Sequence, residues 1–215
     1  MRPLLHPTSQ NIQYLSISTN GYTTSIVRNL GLRTYPLPFD WVTTNIESID
    51  KCLKDDFKQY HTNLKIIDND KRHVIDEYGF LFKYDYPLYA NTKPYNLEYN
   101  QPFLDLFIQN NKIHDIVIEK YKNRINNFQQ LMNSTEPIIC LCDYSITDVI
   151  KLRDLFITFY NIIPDNLYII NICYSPIIDH IYIPENIYHV NINTQNIYIW
   201  KYMIDLVLRH HKNKK

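Results

Sequence analysis

The chain has 215 residues, enough for one well-buried core, and its hydrophobic fraction of 45% is that of an ordinary globular protein. Its formal net charge is zero, which excludes the overall basic footprint of a nucleic-acid-binding protein. No stretch approaches about 18 uncharged apolar residues, and the first residues carry no apolar segment. We therefore expect neither a membrane-spanning helix nor a signal peptide.

Apolar periodicity predicts helices and strands along the whole chain. In the first half, the predicted elements are a strand at 11–18, a helix at 23–30, a helix at 45–60, and extended segments at 64–67 and 74–86. Residues 87–101 are rich in Tyr, Asn and Pro and predict a long loop of the kind that often forms a binding site. In the second half, they are a helix at 111–132, a strand at 137–142, a helix at 148–160, strands at 166–172 and 188–192, and a helix at 196–209.

The order of the second-half elements indicates the fold class. Strands that alternate with helices imply a parallel sheet covered by helices, because a parallel connection needs a crossover. We therefore predict an α/β fold with a mostly parallel sheet and covering helices, in a Rossmann-like three-layer arrangement. No linker or internal repeat interrupts the chain, so we expect a single domain over residues 1–215.

The common catalytic motifs are missing from the sequence. With only 3 Gly, the chain has no G-x-G-x-x-G, no G-x-x-x-x-G-K-[ST] and no G-x-S-x-G. The histidines are scattered, and His180 and His189, near predicted strand ends, are expected to be surface or structural side chains rather than metal ligands. The four cysteines are Cys52, Cys140, Cys142 and Cys173, and they lack the C-x-x-C spacing of a zinc or redox site. We expect them to be reduced and mostly buried thiols. We expect no cofactor and no metal.

Several charged residues are candidates for binding a ligand. Asp143 follows a predicted strand, and ligands bind at the carboxyl ends of parallel strands, although the same residue can instead assist the N-terminus of the next helix. Arg28, Arg33, Lys120 and Arg124 are candidate contacts for an anion. Each of these four cations is explained as readily by a solvated or ion-paired side chain.

The tripeptide Phe39-Asp40-Trp41 places one carboxylate between two large aromatic side chains. If the rings pack in the core, Asp40 is partly desolvated and needs a partner, for which Arg28 and Arg33 are nearest in the sequence. A structural latch and a role in a site are both consistent with this pattern.

Two runs of sequence resemble a known family. Residues 17–33, ISTNGYTTSIVRNLGLR, followed by PFDW at 38–41, resemble the opening of an uncharacterised family described as papain-like cysteine peptidases, found in bacteria and large DNA viruses. Its members open with a strand, Leu-Gly-x-x-Cys, a helix ending in Leu-Arg-x-x-Gly-Leu-Arg, and Pro-Phe-Asp-Trp. A later Phe-x-His-Asp-Phe-like segment and a helical Lys-Tyr-x-x-Arg match residues 78–86 and 120–128. The resemblance spans residues 12–130.

The chain departs from the family pattern at the two positions that carry its chemistry. Gly21 stands at the position of the family's Cys, and Tyr84 stands at that of the His that precedes Asp85. A cysteine hydrolase needs a thiolate and an adjacent base, so the resemblance implies that this chain lacks peptidase activity. The retained residues resemble a binding site for an anionic or sugar-like ligand: Arg28, Arg33, Asp40, Trp41, Asp85, Lys120 and Arg124.

Functions from different classes follow from these features. The first is a catalytically degenerate family member, a viral binding or interaction protein of the host cytoplasm or the virion, with a host or virion protein or a small anionic ligand as its partner. The alternative is an active transferase or hydrolase on a nucleotide, sugar or phosphodiester. It would use Asp40 or Asp85 as a base, with Arg28, Arg33 or Arg124 holding the anion. A third is an oligomeric structural component of a virion, so enzymatic activity stays an open question.

Overall fold

The computed structural model describes residues 11–67, 73–86, 104–105, 108–109, 112–173, 182–191 and 196–214. The predicted loop at 87–101 lies outside these residues. The strands in chain order are β1 (Gln13–Ser16), β2 (Val42–Thr43), β3 (Lys65–Ile66), β4 (Val74–Ile75), β5 (Leu81–Phe82), β6 (Ile138–Cys142), β7 (Leu167–Ile172) and β8 (Ile187–Val190). The helices are α1 (Tyr22–Asn29), α2 (Ile46–Lys54), α3 (Lys112–Met132), α4 (Ile146–Tyr160) and α5 (Ile197–Lys214). None of the helices in the described ranges is long and apolar enough to cross a membrane.

A four-stranded parallel sheet forms the centre of the fold, with strand order β1-β6-β7-β8. Leu15 pairs with Cys140, which pairs with Ile169, so apolar residues run across the sheet in register. Strands β6 and β7 are buried along their whole length, as expected where helices cover both faces. The predicted α/β class with a mostly parallel sheet is confirmed.

Alternate side chains of the sheet supply two separate cores. Cys140 and Cys142 face one side, where they pack with apolar residues of α2, α3 and α4, among them Phe128 and Val149. The residues that alternate with them, Ile139 and Leu141, face the other side and pack with α1 and α5, for example with Trp200. Helices therefore cover both faces of the sheet, which gives three layers.

A second, antiparallel sheet of two-residue strands, with the order β2-β5-β4-β3, packs beside the main one. The prediction of one extended segment over 74–86 is wrong, because β4 and β5 are separated by a turn. In that turn Gly79 has a φ of +88°, and the Asp76 carboxylate accepts hydrogen bonds from the amides of Tyr78 and Phe80. A short side chain that binds nearby amides is typical of such turns.

Two helix boundaries also differ from prediction. Helix α2 ends at Lys54 rather than at residue 60, and the chain continues through turns in which Asp56, Phe57 and His61 have positive φ. Phe57 and Tyr60 are nevertheless buried, so the apolar spacing that predicted a longer helix comes from turns that reach the same core. Helix α5 extends beyond the predicted residue 209, to Lys214.

Candidate functional site

The loop after β1 brings Gly21 against Trp41. Gly21 is the N-cap residue of α1 with a φ of +78°, and its amide donates to the Ser18 hydroxyl at 2.6 Å. A Cβ atom at this position would lie 3.3 Å from the Cα of Trp41. The position that the resemblance assigns to the nucleophile therefore contacts the Trp41 backbone, and a side chain there needs a left-handed conformation that costs about 1–2 kcal/mol.

Trp41 itself adopts an unusual backbone conformation. Its φ is +64°, and its amide donates to the Thr24 hydroxyl of α1 at 3.3 Å. Its ring contacts that of Tyr84 edge-to-face, with 6.2 Å between centroids. Left-handed non-glycine residues cluster at functional sites, and this one joins the positions assigned to the Cys, 21, and to the His, 84.

A cavity of about 380 Å³ opens beside this pair of rings. Its walls are Trp41 from the loop before β2, Tyr84 and Asp85 from the turn after β5, and Lys120 and Arg124 from α3. Lys120 and Arg124 are four residues apart on a helix and therefore share one face. Four of the eight predicted site residues thus line one cavity, although they lie up to 83 positions apart in the sequence.

Asp85 is the carboxylate of this cavity, and both of its oxygens are occupied. One accepts the Lys120 ammonium in an ion pair, and the other accepts the Tyr121 hydroxyl at 2.6 Å. The Asp85 side chain is only 5% exposed, whereas that of Lys120 is 39% exposed. The pKa of Tyr121 lies well above its ordinary value, first because the hydroxyl is buried and second because of the Asp85 charge. Tyr121 therefore remains a hydrogen-bond donor.

Arg124 is a buried cation that pairs with no carboxylate of the described residues. The residue is 9% exposed, and its guanidinium carbon lies 4.7 Å from the centroid of the Tyr121 ring. One terminal nitrogen donates to the backbone carbonyl of Asp40 over a long 3.4 Å, and Nε is buried without a hydrogen-bond partner. The described residues therefore give the cavity two cations and one carboxylate, which leaves one positive charge in excess.

Asp40 and Arg33 form a buried ion pair away from the cavity walls. Their N–O distance is 2.7 Å, and their side chains are 4% and 3% exposed. The Ser16 hydroxyl donates to the same Asp40 oxygen at 2.6 Å, and the Leu37 amide donates to the other at 2.7 Å. Asp40 is thus the latch that ties β1 to the loop before β2, and the catalytic role predicted for it stays a prediction.

Asp143 and Arg28 also lie outside the cavity walls. Asp143, at the carboxyl end of β6, accepts the Thr19 amide at 2.7 Å and the Thr19 hydroxyl at 3.3 Å. Burial raises the pKa of Asp143. Arg28 is exposed in the last turn of α1. Asp143 therefore fastens the loop that carries Gly21, and the ligand-binding roles predicted for these two residues remain predictions.

None of the cysteines has the environment of a nucleophile. Cys52, Cys140 and Cys142 are fully buried and Cys173 is half-buried. Burial raises the pKa of Cys52, Cys142 and Cys173, whereas a nucleophilic thiol needs a lowered pKa. Across the part of the chain that the structure describes, no three His, Cys, Asp or Glu side chains form a group that could hold a metal ion.

A row of polar side chains that the sequence reasoning missed crosses β6, β7 and β8. Asn171 accepts the Cys142 thiol at 3.4 Å and the Tyr144 amide at 3.0 Å, and its amide group lies 2.9 Å from Nδ1 of His189. These are the residue types of a Cys-His-Asn triad, but the Asn stands between the other two and the thiol is buried. This arrangement holds strands together and activates no thiol. An Asn in an apolar strand run was the available signal.

Comparison with known proteins identifies the family. A sequence profile described as putative papain-like cysteine peptidase (DUF1796) matches residues 13–167. The chain belongs to this family. No curated protein and no solved structure matches the chain significantly. The matched residues contain β1, the cavity walls and β6, and they end at the first residue of β7, so the family scaffold includes the whole candidate site.

Proposed function

We propose that this family member is catalytically silent and acts by binding, with the former catalytic cleft as its binding site. The observation that carries the proposal is the convergence of Gly21 and Tyr84 on Trp41. The two positions that the family resemblance assigns to nucleophile and base thus lie on one residue, and neither holds a group that can do that chemistry. Both positions meet Trp41, Gly21 at its backbone and Tyr84 at its ring.

The chain offers no replacement for the missing nucleophile within the described residues. The shifted thiol pKa values are all raised, and Asn171 stands between the Cys142 thiol and His189. His61 is buried among aromatic rings, and burial is the main cause that holds its pKa well below the ordinary value. Neither His61 nor His189 therefore forms a thiolate–imidazole pair among the described residues.

The first test is covalent labelling of the wild-type protein. An epoxide probe for cysteine peptidases, followed by intact-mass measurement, should give no adduct, and fluorogenic peptides should not be cleaved. An adduct on one cysteine, together with peptide cleavage that the corresponding Cys→Ser variant abolishes, would refute the proposal.

A second test restores the missing groups. Gly21→Cys should react with iodoacetamide, and adding Tyr84→His should raise that rate, because a base beside a thiol increases the thiolate fraction. Gly31→Cys is the matched control. Gly31 also has a positive φ, +64°, but a Cβ atom there would meet nothing within 4 Å. Tyr84→His should leave the rate at position 31 unchanged. Equal effects at both positions would show that positions 21 and 84 do not form one site.

An active transferase or hydrolase is the second candidate, favoured by the presence of Asp85, Lys120 and Arg124 in one cavity. Asp85 is its candidate base, since Asp40 is enclosed by three donors. Turnover of a nucleotide, sugar or phosphodiester that Asp85→Asn abolishes would establish it.

A structural virion role would require self-association, which a concentration-independent monomer in light scattering would exclude. The viral origin and a location in the host cytoplasm or virion belong to the same proposal, and fractionation of infected cells tests them.

A further inference from the structure

The unpaired charge of Arg124 indicates what the cavity binds. A buried cation without a counter-ion is unfavourable, because the low-dielectric interior does not replace its hydration. The charge of Lys120 is balanced by Asp85, whereas Arg124 has only the Tyr121 ring and one long bond to the Asp40 carbonyl. The described residues therefore leave the cavity with a guanidinium that lacks an anion.

The planar guanidinium also defines the kind of anion. Its parallel N–H groups fit the two oxygens of a carboxylate or of a phosphate, and such charge-assisted pairs are the strong ones. The Lys120 ammonium on the same helix face, 39% exposed, is available as a second donor. A single carboxylate or phosphate monoester next to Arg124 would remove the charge excess of the cavity.

The opposite wall is aromatic. Trp41 is half-buried and its ring contacts that of Tyr84 edge-to-face, so its indole forms an aromatic surface beside the cations. Ligand pockets combine such apolar walls with a few polar groups, and the cavity volume of about 380 Å³ lies within the range of about 300–1,000 Å³ for small-molecule sites. The space suits a compact molecule rather than an extended polymer.

We propose that this cavity binds a small organic anion, a carboxylate or a phosphate monoester carried on a planar ring, with its oxygens on Arg124 and its ring against Trp41. This inference rests on the proposed function, since it names the ligand of the same cleft. A ring-bound carboxylate and a ring-bound phosphate share the recognised chemistry, and the experiment distinguishes them.

The experiment is a titration followed by the indole N–H signal of Trp41 in NMR spectra, assigned with Trp41→Phe. The probes are benzoate, phenyl phosphate, inorganic phosphate, which has no ring, and benzamide, which has no charge. The variants are Arg124→Gln and Lys120→Gln. The matched control is Arg209→Gln, which removes the same charge from an exposed position of α5.

We expect saturable shifts with benzoate or phenyl phosphate, and the tighter of the two identifies the preferred anion. Inorganic phosphate should bind more weakly and benzamide should not bind. Arg124→Gln should weaken binding at least about tenfold, as for one charge-assisted hydrogen bond, whereas Arg209→Gln should change it less than about twofold. If Arg124→Gln does not fold, Lys120→Gln takes its place, because it leaves the cavity without excess positive charge.

Two results would overturn the inference. One is the absence of a saturable shift with both ring anions, and the other is an equal loss of affinity in the Arg124 or Lys120 variant and in Arg209→Gln. These results are separable from failure of the proposed function. A reactive cysteine would refute catalytic silence and leave the anion site standing, whereas absence of ring-anion binding removes the anion site alone.

Discussion

Removal of the Asp40 carboxylate should be among the most damaging single changes in the chain. In Asp40→Ala, Arg33 loses its counter-ion while its side chain stays 3% exposed, and the Ser16 hydroxyl and Leu37 amide lose their acceptor. Breaking a buried ion pair by removing one partner costs about 3–5 kcal/mol. The two neutral donors add roughly 1 kcal/mol or more, so we expect a loss of at least about 4 kcal/mol.

Urea denaturation followed by circular dichroism measures this loss as a fall in the midpoint at constant m value. In a thermal scan the same change corresponds to roughly 8–16 °C for a chain of this size. Asp50→Ala is the matched control, because it removes a carboxylate from the exposed pair with Lys54, where the two side chains are 31% and 61% exposed. Its expected cost is at most about 1 kcal/mol.

A second variant isolates the uncompensated charge. Adding Arg33→Met to Asp40→Ala should recover part of the lost stability, because it removes the buried guanidinium that has no counter-ion in Asp40→Ala. The reasoning would be refuted if Asp40→Ala cost no more than Asp50→Ala, or if Arg33→Met made the double variant less stable. Either result would mean that Asp40 does not fasten β1 to the loop before β2.

Two further predictions concern titratable groups. A disulfide reagent such as 5,5′-dithiobis(2-nitrobenzoate) should label one thiol of the native protein, the half-buried Cys173. It should label the fully buried Cys52, Cys140 and Cys142 only in denaturant. Rapid labelling of all four thiols in the native protein would contradict the burial described. Burial raises the pKa of Asp76 to about 7, so the folded state binds its proton more tightly than the unfolded state does. The stability of the wild type relative to Asp76→Asn should therefore fall as pH rises from about 4 to 7 and level off above pH 7. A stability difference that stays constant with pH would contradict this prediction.

The parallel sheet and its covering helices could be predicted from local pattern. The β6 and β7 segments are short, wholly apolar runs, and a segment of that kind is stable only when covered on both faces. The start of helix α4 is marked in the sequence by Ser145 with Asp148 three residues later, a helix-capping pattern. In the structure the Ser145 hydroxyl accepts a hydrogen bond from the Asp148 amide. These features depend on neighbours in sequence, which is why they are readable there.

The second sheet and the end of α2 could not be predicted in the same way. Strands of two residues have no measurable period, and β2 exists because its backbone pairs with a segment distant in the chain, Val42 with Phe82. After Lys54 the apolar residues Phe57 and Tyr60 keep a helical spacing, yet they reach the core through turns with positive φ. The need to bury apolar side chains determines which side chains reach the core. It does not determine the backbone conformation, because a helix and a series of turns can bury the same residues.

The sequence by itself determined the chemical capacity of the site. The side chains present at Gly21 and Tyr84 decide that no thiol and no imidazole stand at these two positions, whatever the fold does. Only the tertiary structure decided which residues meet. Arg33, not Arg28, pairs with Asp40, because helix α1 leaves Arg28 exposed to solvent. Asp85 and Arg124 share a cavity with Trp41 because β5 and α3 pack beside the loop before β2. Side-chain identity is local information, whereas proximity is a property of the whole packed chain.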